Sequence, residues 1–372
     1  MEPDRPPRIL IVKLSAIGDV IHAMPVASAL REQLPKAHIA WLVEERAAEL
    51  LKDHAALNQL IVAPRRWFKS SEYKRQLREE LRAIGFDVSI DLQGLTKSAY
   101  AGWASGVPRR IGFSGSLWLD LGRWFNNELF CRTMGREFSR LLNNEFVTVT
   151  RDHIVDQYLE LLAPLGLQPR PARFDVPRFP EADARVSDLL RDMSLQRFAL
   201  MSPGAGRPSK LWPAEYFAEV ARHLGERDGL PTVVAWAGQT EHAWAKDIQS
   251  AAAGHVFVAP PTCLRMLAEL ARRASLFLAS DTGPLHLAAA VGTPCVGLFS
   301  IMPARRNGPY GQGNVALQAQ LRRGTSIQRH KPHNREMRAI TPDQVIQACE
   351  QVLAASAPAL PVRPTEPAAL AG

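Results

Sequence analysis

The sequence is poor in cysteine and lacks long hydrophobic runs. It has four cysteines among 372 residues, and no two of them form a Cys-x-x-Cys pair. This excludes a disulfide scaffold and a zinc ribbon, and it is typical of a protein from a reducing compartment. No apolar run approaches the roughly 18 residues of a membrane-spanning helix, and the polar start MEPDRPPR does not resemble a signal peptide. We therefore expect a cytoplasmic protein.

Several familiar ligand-binding motifs are absent as well. No Gly-x-Gly-x-x-Gly follows the first apolar run, no Walker A sequence occurs, and no Asp-x-Asp pair offers a metal site. The first absence argues against a dinucleotide-dependent oxidoreductase. A zinc finger, an RNP-type aromatic motif and a long basic run are also missing. Nucleic-acid binding would therefore rest on charge alone, and we expect none.

Positive charge is in excess, with 45 basic and 37 acidic residues and a net charge of +8. Such a surface favours anionic partners, among them lipid headgroups and phosphorylated substrates. A hydrophobic fraction of 46% over 372 residues suits two domains, each with its own core.

Strand and helix signals alternate through most of the chain, which predicts an α/β protein. The runs RILIVKL, HIAWLVEE and FDVSIDL read as strands separated by helices, and RFALMSPG, PTVVAWAG and SLFLASDTG repeat the rhythm after a proline-rich stretch. Ligands should bind where such strands end. The predicted organisation is a Rossmann-like domain over 1–170, a linker over 171–190, a second Rossmann-like domain over 191–355 and a disordered tail over 356–372.

The strongest local signal is SDTGPLHLAAAVGTP, where the strand SLFLA ends in Asp281 and Thr282. Pro284 favours a helix start, because proline at the first turn needs no N–H partner. The helix end, the Thr282 hydroxyl and His286 together would bind a phosphate. Alternatively, Asp281 or Thr282 only caps the helix.

A second loop, SPGAGRPSKLWP, also follows a strand and is rich in glycine. Lys210 in this loop could neutralise a diphosphate as a point charge. The alternative is a solvated loop lysine. With both phosphate loops in the second half, we predict that this half binds the nucleotide.

The first strand leads into SAIGDVIHAMP, which places Asp19 where a nucleotide fold would put a glycine. A carboxylate there could take a proton from an attacking hydroxyl group. The alternatives are an ordinary helix cap at Asp19 and a competing base at His22. Further along, APRRWFKSSEYKR interleaves basic and aromatic residues, which suits either an anionic acceptor at the membrane surface or a solvated basic face.

Taken together, four segments resemble the bacterial lipopolysaccharide heptosyltransferases, glycosyltransferase family 9. They are ILIVKLSAIGDVIHAMP, WLVEE, DLQGLTKSA and SDTGPLHLAAAVGTP, and the similarity extends from about residue 8 to residue 350. The first segment has the VKxSxxGDVxHxxP form of heptosyltransferase I. The resemblance implies a GT-B fold, in which two Rossmann-like domains face a cleft. It also implies that the N-terminal domain, 1–170, binds the acceptor and that the C-terminal domain, 191–355, binds the nucleotide-sugar.

The resemblance also implies an inverting, metal-independent transfer from ADP-L-glycero-D-manno-heptose to a Kdo residue of Kdo-lipid A. No cofactor is expected, and His330 and His333 lack partner cysteines for a metal site. Asp19 matches the family's proposed general base, and Lys210 matches its phosphate-contacting lysine. Donor-binding candidates are Asp281, Thr282, Gly283, Leu285, His286, Ser202 and Glu241. Acceptor-binding candidates are Ser15, Gly18, Arg65, Arg66, Lys69 and Arg110, with Arg109 beside it.

Two other functions stay open at this point. A member of the same family could use another acceptor or another nucleotide-sugar, because the motifs do not define either substrate. A non-catalytic nucleotide-binding module would keep the loops of the second half but would have no need for Asp19.

Overall fold

Two parallel six-stranded sheets form the frame of the protein in the computed structural model. The structure describes residues 5–114, 139–252, 254–300, 302–319 and 334–356. His330, His333 and the expected tail beyond residue 356 lie outside these ranges.

The first sheet has the strand order β3-β2-β1-β4-β5-β6. Its strands are β1 Arg8–Val12, β2 His38–Glu44, β3 Gln59–Ala63, β4 Val88–Asp91, β5 Arg109–Phe113 and β6 Glu145–Val147. The helices of this half are α1 Ile17–Gln33, α2 Glu45–Leu51, α3 Ser71–Ile84, α4 Thr96–Ala104 and α5 Ile154–Glu160, with short 3₁₀ turns at Trp67–Lys69 and Ala163–Leu165.

The second sheet has the strand order β12-β11-β10-β7-β8-β9. Its strands are β7 Ala199–Ser202, β8 Thr232–Val234, β9 Val256–Val258, β10 Leu276–Ser280, β11 Cys295–Phe299 and β12 Val315–Gln318. The helices are α6 Pro180–Asp192, α7 Ala214–Asp228, α8 Gly238–Ala251, α9 Leu264–Arg273, α10 Gly283–Ala290, α11 Ala304–Asn307, α12 Arg335–Arg338 and α13 Pro342–Ser356, with a 3₁₀ turn at Pro208–Lys210.

Both sheets follow the doubly wound order of a Rossmann fold, so the predicted fold class is confirmed. In each sheet the chain leaves two neighbouring strands in opposite directions, and this leaves a crevice outside their carboxyl ends. The neighbouring strands are β1 and β4 in the first sheet and β7 and β10 in the second. The loops after these four strands therefore define where a ligand can bind.

The segment between the two sheets is irregular only in its first part. Residues 171–179 have no regular structure, whereas α6 begins at Pro180 inside the stretch expected to be linker. Proline at the first helical position favours this start. The buried Glu269 of α9 accepts a hydrogen bond from the Phe179 amide, at 3.0 Å, and so fixes the end of the irregular segment.

Helices α1 and α10 join the two halves. The largest buried cluster contains Ile21 and Met24 of α1 together with Leu285 and Leu287 of α10. Most of α1 is buried, from Val20 to Leu30. Because the two helices pack together, their amino-terminal turns, each following a crevice strand, lie side by side.

Candidate active site at the junction of the two sheets

Lys210 and Asp281 form an ion pair at the carboxyl edge of the second sheet. The Lys210 Nζ lies 2.5 Å from Oδ2 of Asp281 and 3.1 Å from its backbone oxygen. The other carboxylate oxygen of Asp281 lies 3.2 Å from Nε2 of His286. Burial by itself would raise the pKa of Asp281, but the hydrogen bond from His286 and the charge of Lys210 outweigh it and lower the pKa to about 2. This carboxylate is therefore ionised at neutral pH.

Hydrogen-bond donors without an acceptor lie at the start of α10, beside this pair. Thr282 is the N-cap residue, but its side chain makes no capping bond, and its buried hydroxyl has no partner among the described residues. The amides of Gly283 and Leu285 lie in the first turn and have no carbonyl partner within the helix. With the positive end of the helix dipole, these groups form a surface suited to a phosphate.

The loop after β7 is held by hydrogen bonds to two other segments of the second half. Trp212 is buried and donates from Nε1 to the Ile340 carbonyl at 2.9 Å, and Ser300 donates to the Ser209 carbonyl at 2.8 Å. These contacts hold Lys210 at the crevice. The lysine is therefore not a freely solvated loop residue.

Glu241 lies over the same loop. A Cβ atom placed on Gly204 would lie 2.1 Å from the Glu241 carboxyl carbon, so the carboxylate lies directly against the Gly204 backbone. The Glu241 carboxylate accepts a hydrogen bond from the Ala237 amide at 2.8 Å, and burial raises its pKa. Ser202 ends β7 and is buried at the base of this loop. The structure thus brings Glu241 and Ser202 to the loop that holds Lys210.

Asp19 stands on the opposite side of the junction, in the first turn of α1. One of its carboxylate oxygens, Oδ2, accepts a hydrogen bond from the Ala16 amide at 3.2 Å. Asp19 therefore caps its own helix, but from the third helical position and with one oxygen only. Its half-buried side chain leaves the second oxygen for another partner.

Gly18 contacts the second half directly. A Cβ atom at Gly18 would lie 2.6 Å from Cδ2 of His286, so the absence of a side chain lets α1 and α10 approach. This explains the glycine by packing, whereas the sequence suggested an acceptor contact. Through His286, the turn that carries Asp19 touches the group formed by Lys210 and Asp281.

Three histidine rings, those of His22, His153 and His286, pack against one another next to this contact. His22 lies 4.1 Å from the ring of His286 and 5.8 Å from that of His153, measured between centroids. Burial, followed by the nearby positive groups, lowers the pKa of His22 well below its usual value. Both ring nitrogens of His22 are buried without a partner among the described residues. A buried ring that neither solvent nor a substrate hydroxyl can reach is poorly suited to be the base. Of the two candidates for the base, Asp19 is therefore favoured over His22.

The predicted acceptor-binding cations fall into two groups. The first group is Arg65, Arg66 and Lys69, which are exposed beyond the carboxyl end of β3. Because the strands are parallel, this is the end of the sheet at which Asp19 also lies. Within the described part of the chain these three residues form no ion pair. Arg110 stands near the beginning of β5, and its guanidinium donates to the carbonyls of Leu142 and Val107. The structure therefore does not bring Arg110 to the site, because its side chain fastens a neighbouring loop.

Two residues at the junction escaped the sequence analysis. Gln93, after β4, accepts hydrogen bonds from the amides of Leu14 and Ser15, both at 3.2 Å. The buried Lys13 donates to the Leu92 carbonyl at 3.1 Å and to the Tyr158 hydroxyl at 2.7 Å. For Gln93, the available signal was its place in the segment DLQGLTKSA, which supported the family resemblance but whose residues were assigned no role. For Lys13, the signal was a lysine at the end of an otherwise apolar strand.

Neither a metal site nor a membrane span is found in the described ranges. No group of three or more histidine, cysteine, aspartate or glutamate side chains there could hold a metal ion. None of the helices there has the length and apolarity needed to cross a membrane.

Two doubly wound units, with an uncapped helix start on one and a carboxylate on the other, fit the arrangement of a GT-B glycosyltransferase. The model of glycosyltransferase family 9 (heptosyltransferase) matches residues 74–336. The chain therefore belongs to this family and is a glycosyltransferase.

Individual relatives agree with the family match. Lipopolysaccharide heptosyltransferase 1 of Pseudomonas aeruginosa is 29% identical over 331 residues, which cover 83% of each chain. A family 9 glycosyl transferase structure from Veillonella parvula has a TM-score of 0.79 and 24% identity, covering 95% of this chain and 99% of that one. The structure of E. coli heptosyltransferase WaaC with ADP-2-deoxy-2-fluoro heptose has a TM-score of 0.68 and 26% identity, covering 92% and 99%. The GT-B fold predicted from the sequence is thereby confirmed.

Proposed function

We propose that the protein transfers a heptosyl group from ADP-L-glycero-D-manno-heptose to a Kdo residue of the lipopolysaccharide inner core, with inversion and without a metal ion. One observation carries this proposal. Asp19 and the group of Lys210, Asp281 and His286 come from different sheets and meet where α1 and α10 touch. An inverting transfer needs a base and a leaving-group site on opposite walls of one cleft.

The donor proposal rests on the second sheet. The E. coli relative WaaC has been crystallised with ADP-2-deoxy-2-fluoro heptose, which supports an ADP-heptose as donor here. We assign the diphosphate to Lys210, the Thr282 hydroxyl and the first-turn amides of α10. We assign the ribose to Glu241, because its carboxylate lies against this loop. These fixed donors would stabilise the negative charge that develops on the departing ADP.

The reaction that follows is a single displacement at the anomeric carbon. The acceptor hydroxyl oxygen bonds to this carbon while the bond from the carbon to the phosphate oxygen breaks. The free carboxylate oxygen of Asp19 receives the hydroxyl proton, and ADP leaves toward Lys210. Positive charge that builds up on the sugar would be stabilised by the ionised Asp281.

The acceptor proposal rests on charge and on the relatives. Kdo carboxylates and lipid A phosphates are anionic, and Arg65, Arg66 and Lys69 are exposed on the edge of the sheet that carries Asp19. The relative from Pseudomonas aeruginosa is named lipopolysaccharide heptosyltransferase 1. These observations support an inner-core acceptor, with Ser15 as a further contact.

Mass spectrometry of the acceptor tests the proposal directly. The purified protein is incubated with ADP-heptose and Kdo-lipid A, once in the presence of EDTA and once without it. We expect a product heavier by one heptosyl group, formed at the same rate with and without EDTA. Hydrolysis of ADP-heptose without transfer would support ADP-heptose as the donor but refute Kdo-lipid A as the acceptor. Full loss of activity in EDTA would refute metal independence.

We further propose that the protein contacts the inner face of the inner membrane through an aromatic patch, defined as Phe68, Tyr100 and Trp103. The rings of Phe68 and Tyr100 lie 5.5 Å apart, and those of Tyr100 and Trp103 lie 5.8 Å apart. Trp103 is 45% exposed. Exposed aromatic rings beside unpaired cations are typical of surfaces that bind anionic lipid.

We expect Trp103→Ser to weaken binding to phosphatidylglycerol vesicles by about tenfold, because the indole is the largest exposed apolar group of the patch. Vesicle flotation at low and high salt measures this. The matched control is Phe146→Ser on β6, a similarly exposed aromatic residue at the opposite edge of the sheet. Equal vesicle binding by both variants would refute the patch.

A further inference from the structure

We propose that Gln93 is a positioning residue that holds the loop before Asp19 in its reactive geometry. The inference deepens the proposed function and rests on it. It concerns residues 13–16, which connect β1 to α1 and carry the chain from the end of the sheet to the proposed base.

The hydrogen bonding of this loop changes where the sheet ends. The last backbone bond between β1 and β4 runs from the Leu92 amide to the Val12 carbonyl, at 3.1 Å. Beyond it the two chains diverge into their crossover helices, so the amides of Leu14 and Ser15 have no strand partner on that side. Buried amides without a partner are costly.

The side chain of Gln93 supplies the missing acceptor. Its Oε1 atom lies 3.2 Å from the amide nitrogen of Leu14 and 3.2 Å from that of Ser15. The next amide, that of Ala16, bonds to Asp19 Oδ2. Three consecutive amides are therefore satisfied by two side chains, and one of these is the proposed base.

Gln93 is itself held in place by a buried carboxylate. Asp91 is almost fully buried, and its Oδ1 atom accepts hydrogen bonds from the amides of Gln93, at 3.1 Å, and Gly94, at 2.9 Å. Leu92, which lies between Asp91 and Gln93, is also held in place, because its carbonyl accepts a hydrogen bond from Lys13. These bonds turn the chain back after β4, so that the Gln93 carboxamide reaches the end of β1.

The consequence for the reaction is geometric. The loop holds one oxygen of Asp19, and no described residue bonds the other, so the orientation of the carboxylate follows the orientation of the loop. A displacement of about 1 Å at a reacting group can reduce a rate by about 100-fold. Gln93 therefore acts through Asp19 and needs no contact with a substrate.

The test uses Gln93→Leu, which keeps the volume but removes the acceptor, and Gln93→Glu, which keeps an acceptor oxygen. We expect Gln93→Leu to lower kcat by about 10- to 100-fold with little change in the KM for ADP-heptose. Gln93→Glu should restore a large part of the loss. Gln76→Leu on α3 is the matched control and should behave as the native protein, because Gln76 is exposed.

A double variant separates positioning from a general structural effect. If Gln93 acts through Asp19, adding Gln93→Leu to Asp19→Asn should not lower the residual rate further. Additive losses would overturn the inference. So would a native kcat in Gln93→Leu. If the leucine variant does not fold, Gln93→Asn, which is one methylene too short, replaces it with the same expectations.

Amide hydrogen exchange distinguishes failure of this inference from failure of the proposed function. Gln93→Leu should speed exchange at Leu14 and Ser15, and Gln93→Glu should restrain it, whatever substrate the enzyme uses. Unchanged exchange in the leucine variant would overturn the inference even if heptosyl transfer is established. Faster exchange in a protein that does not transfer heptose would refute the proposed function alone.

Discussion

Replacing Asp19 by asparagine should reduce heptosyl transfer by about 10²- to 10⁴-fold, which is the usual contribution of a general base. The amide cannot accept the hydroxyl proton, but its oxygen can still accept the hydrogen bond from the Ala16 amide. The start of α1 should therefore keep its structure. Single-turnover transfer and calorimetric ADP binding, performed on the same preparation, measure the two properties separately.

The expected pattern is a lost rate with native affinity for ADP, because the proposed diphosphate site belongs to the other sheet. Asp19→Ala should behave alike in transfer but lose some stability, since it also removes the helix-capping bond. Glu79→Gln, an exposed carboxylate on α3, is the control and should transfer at the native rate. A rate within tenfold of native in Asp19→Asn would remove the residue from the role of base.

Replacing Lys210 by methionine should weaken ADP binding by about 10- to 100-fold and slow transfer by about 10²- to 10³-fold. Methionine keeps most of the side-chain length but removes the charge that would face the diphosphate. The effect on transfer exceeds the effect on binding because negative charge increases on the departing phosphate. Titration calorimetry with ADP and transfer at saturating donor measure the two effects.

The ion pair with Asp281 makes a second consequence measurable. Without Lys210, the pKa of Asp281 should rise from its value of about 2, since one of the interactions that lower it is lost. Donor binding in Lys210→Met should therefore become more sensitive to mild acid. Lys246→Met on α8, an exposed lysine, is the matched control. Equal ADP affinity in the two methionine variants would show that Lys210 does not serve the diphosphate.

The alternation of apolar runs and helical stretches was sufficient to predict the fold. A parallel strand buried on both faces reads as a short continuous apolar run, and RILIVKL and SLFLA both have this form. The loops after β7 and β10 were also predicted, because glycine, proline and a cation directly after a strand form a local pattern. These features depend only on residues close together in the sequence, so they can be predicted from it.

Other parts of the site depend on contacts between distant segments. The pairing of Lys210 with Asp281 joins residues 71 positions apart, and the bonds from Leu14 and Ser15 to Gln93 join residues 79 and 78 apart. No local pattern indicates which of several exposed polar residues will meet across a sheet. For Arg110 the sequence predicted an acceptor contact, whereas in the structure its guanidinium bonds two backbone carbonyls.

The sequence by itself therefore determined the two doubly wound units and the residue types available at the carboxyl ends of their strands, where we propose that ligands bind. Only the tertiary structure decided that α1 and α10 would touch through Gly18 and His286. That contact places a carboxylate of one sheet beside the proposed phosphate site of the other. The physical reason is that local propensity and hydrophobic periodicity act within a few residues, whereas the junction is fixed by packing and hydrogen bonds between elements far apart in the chain.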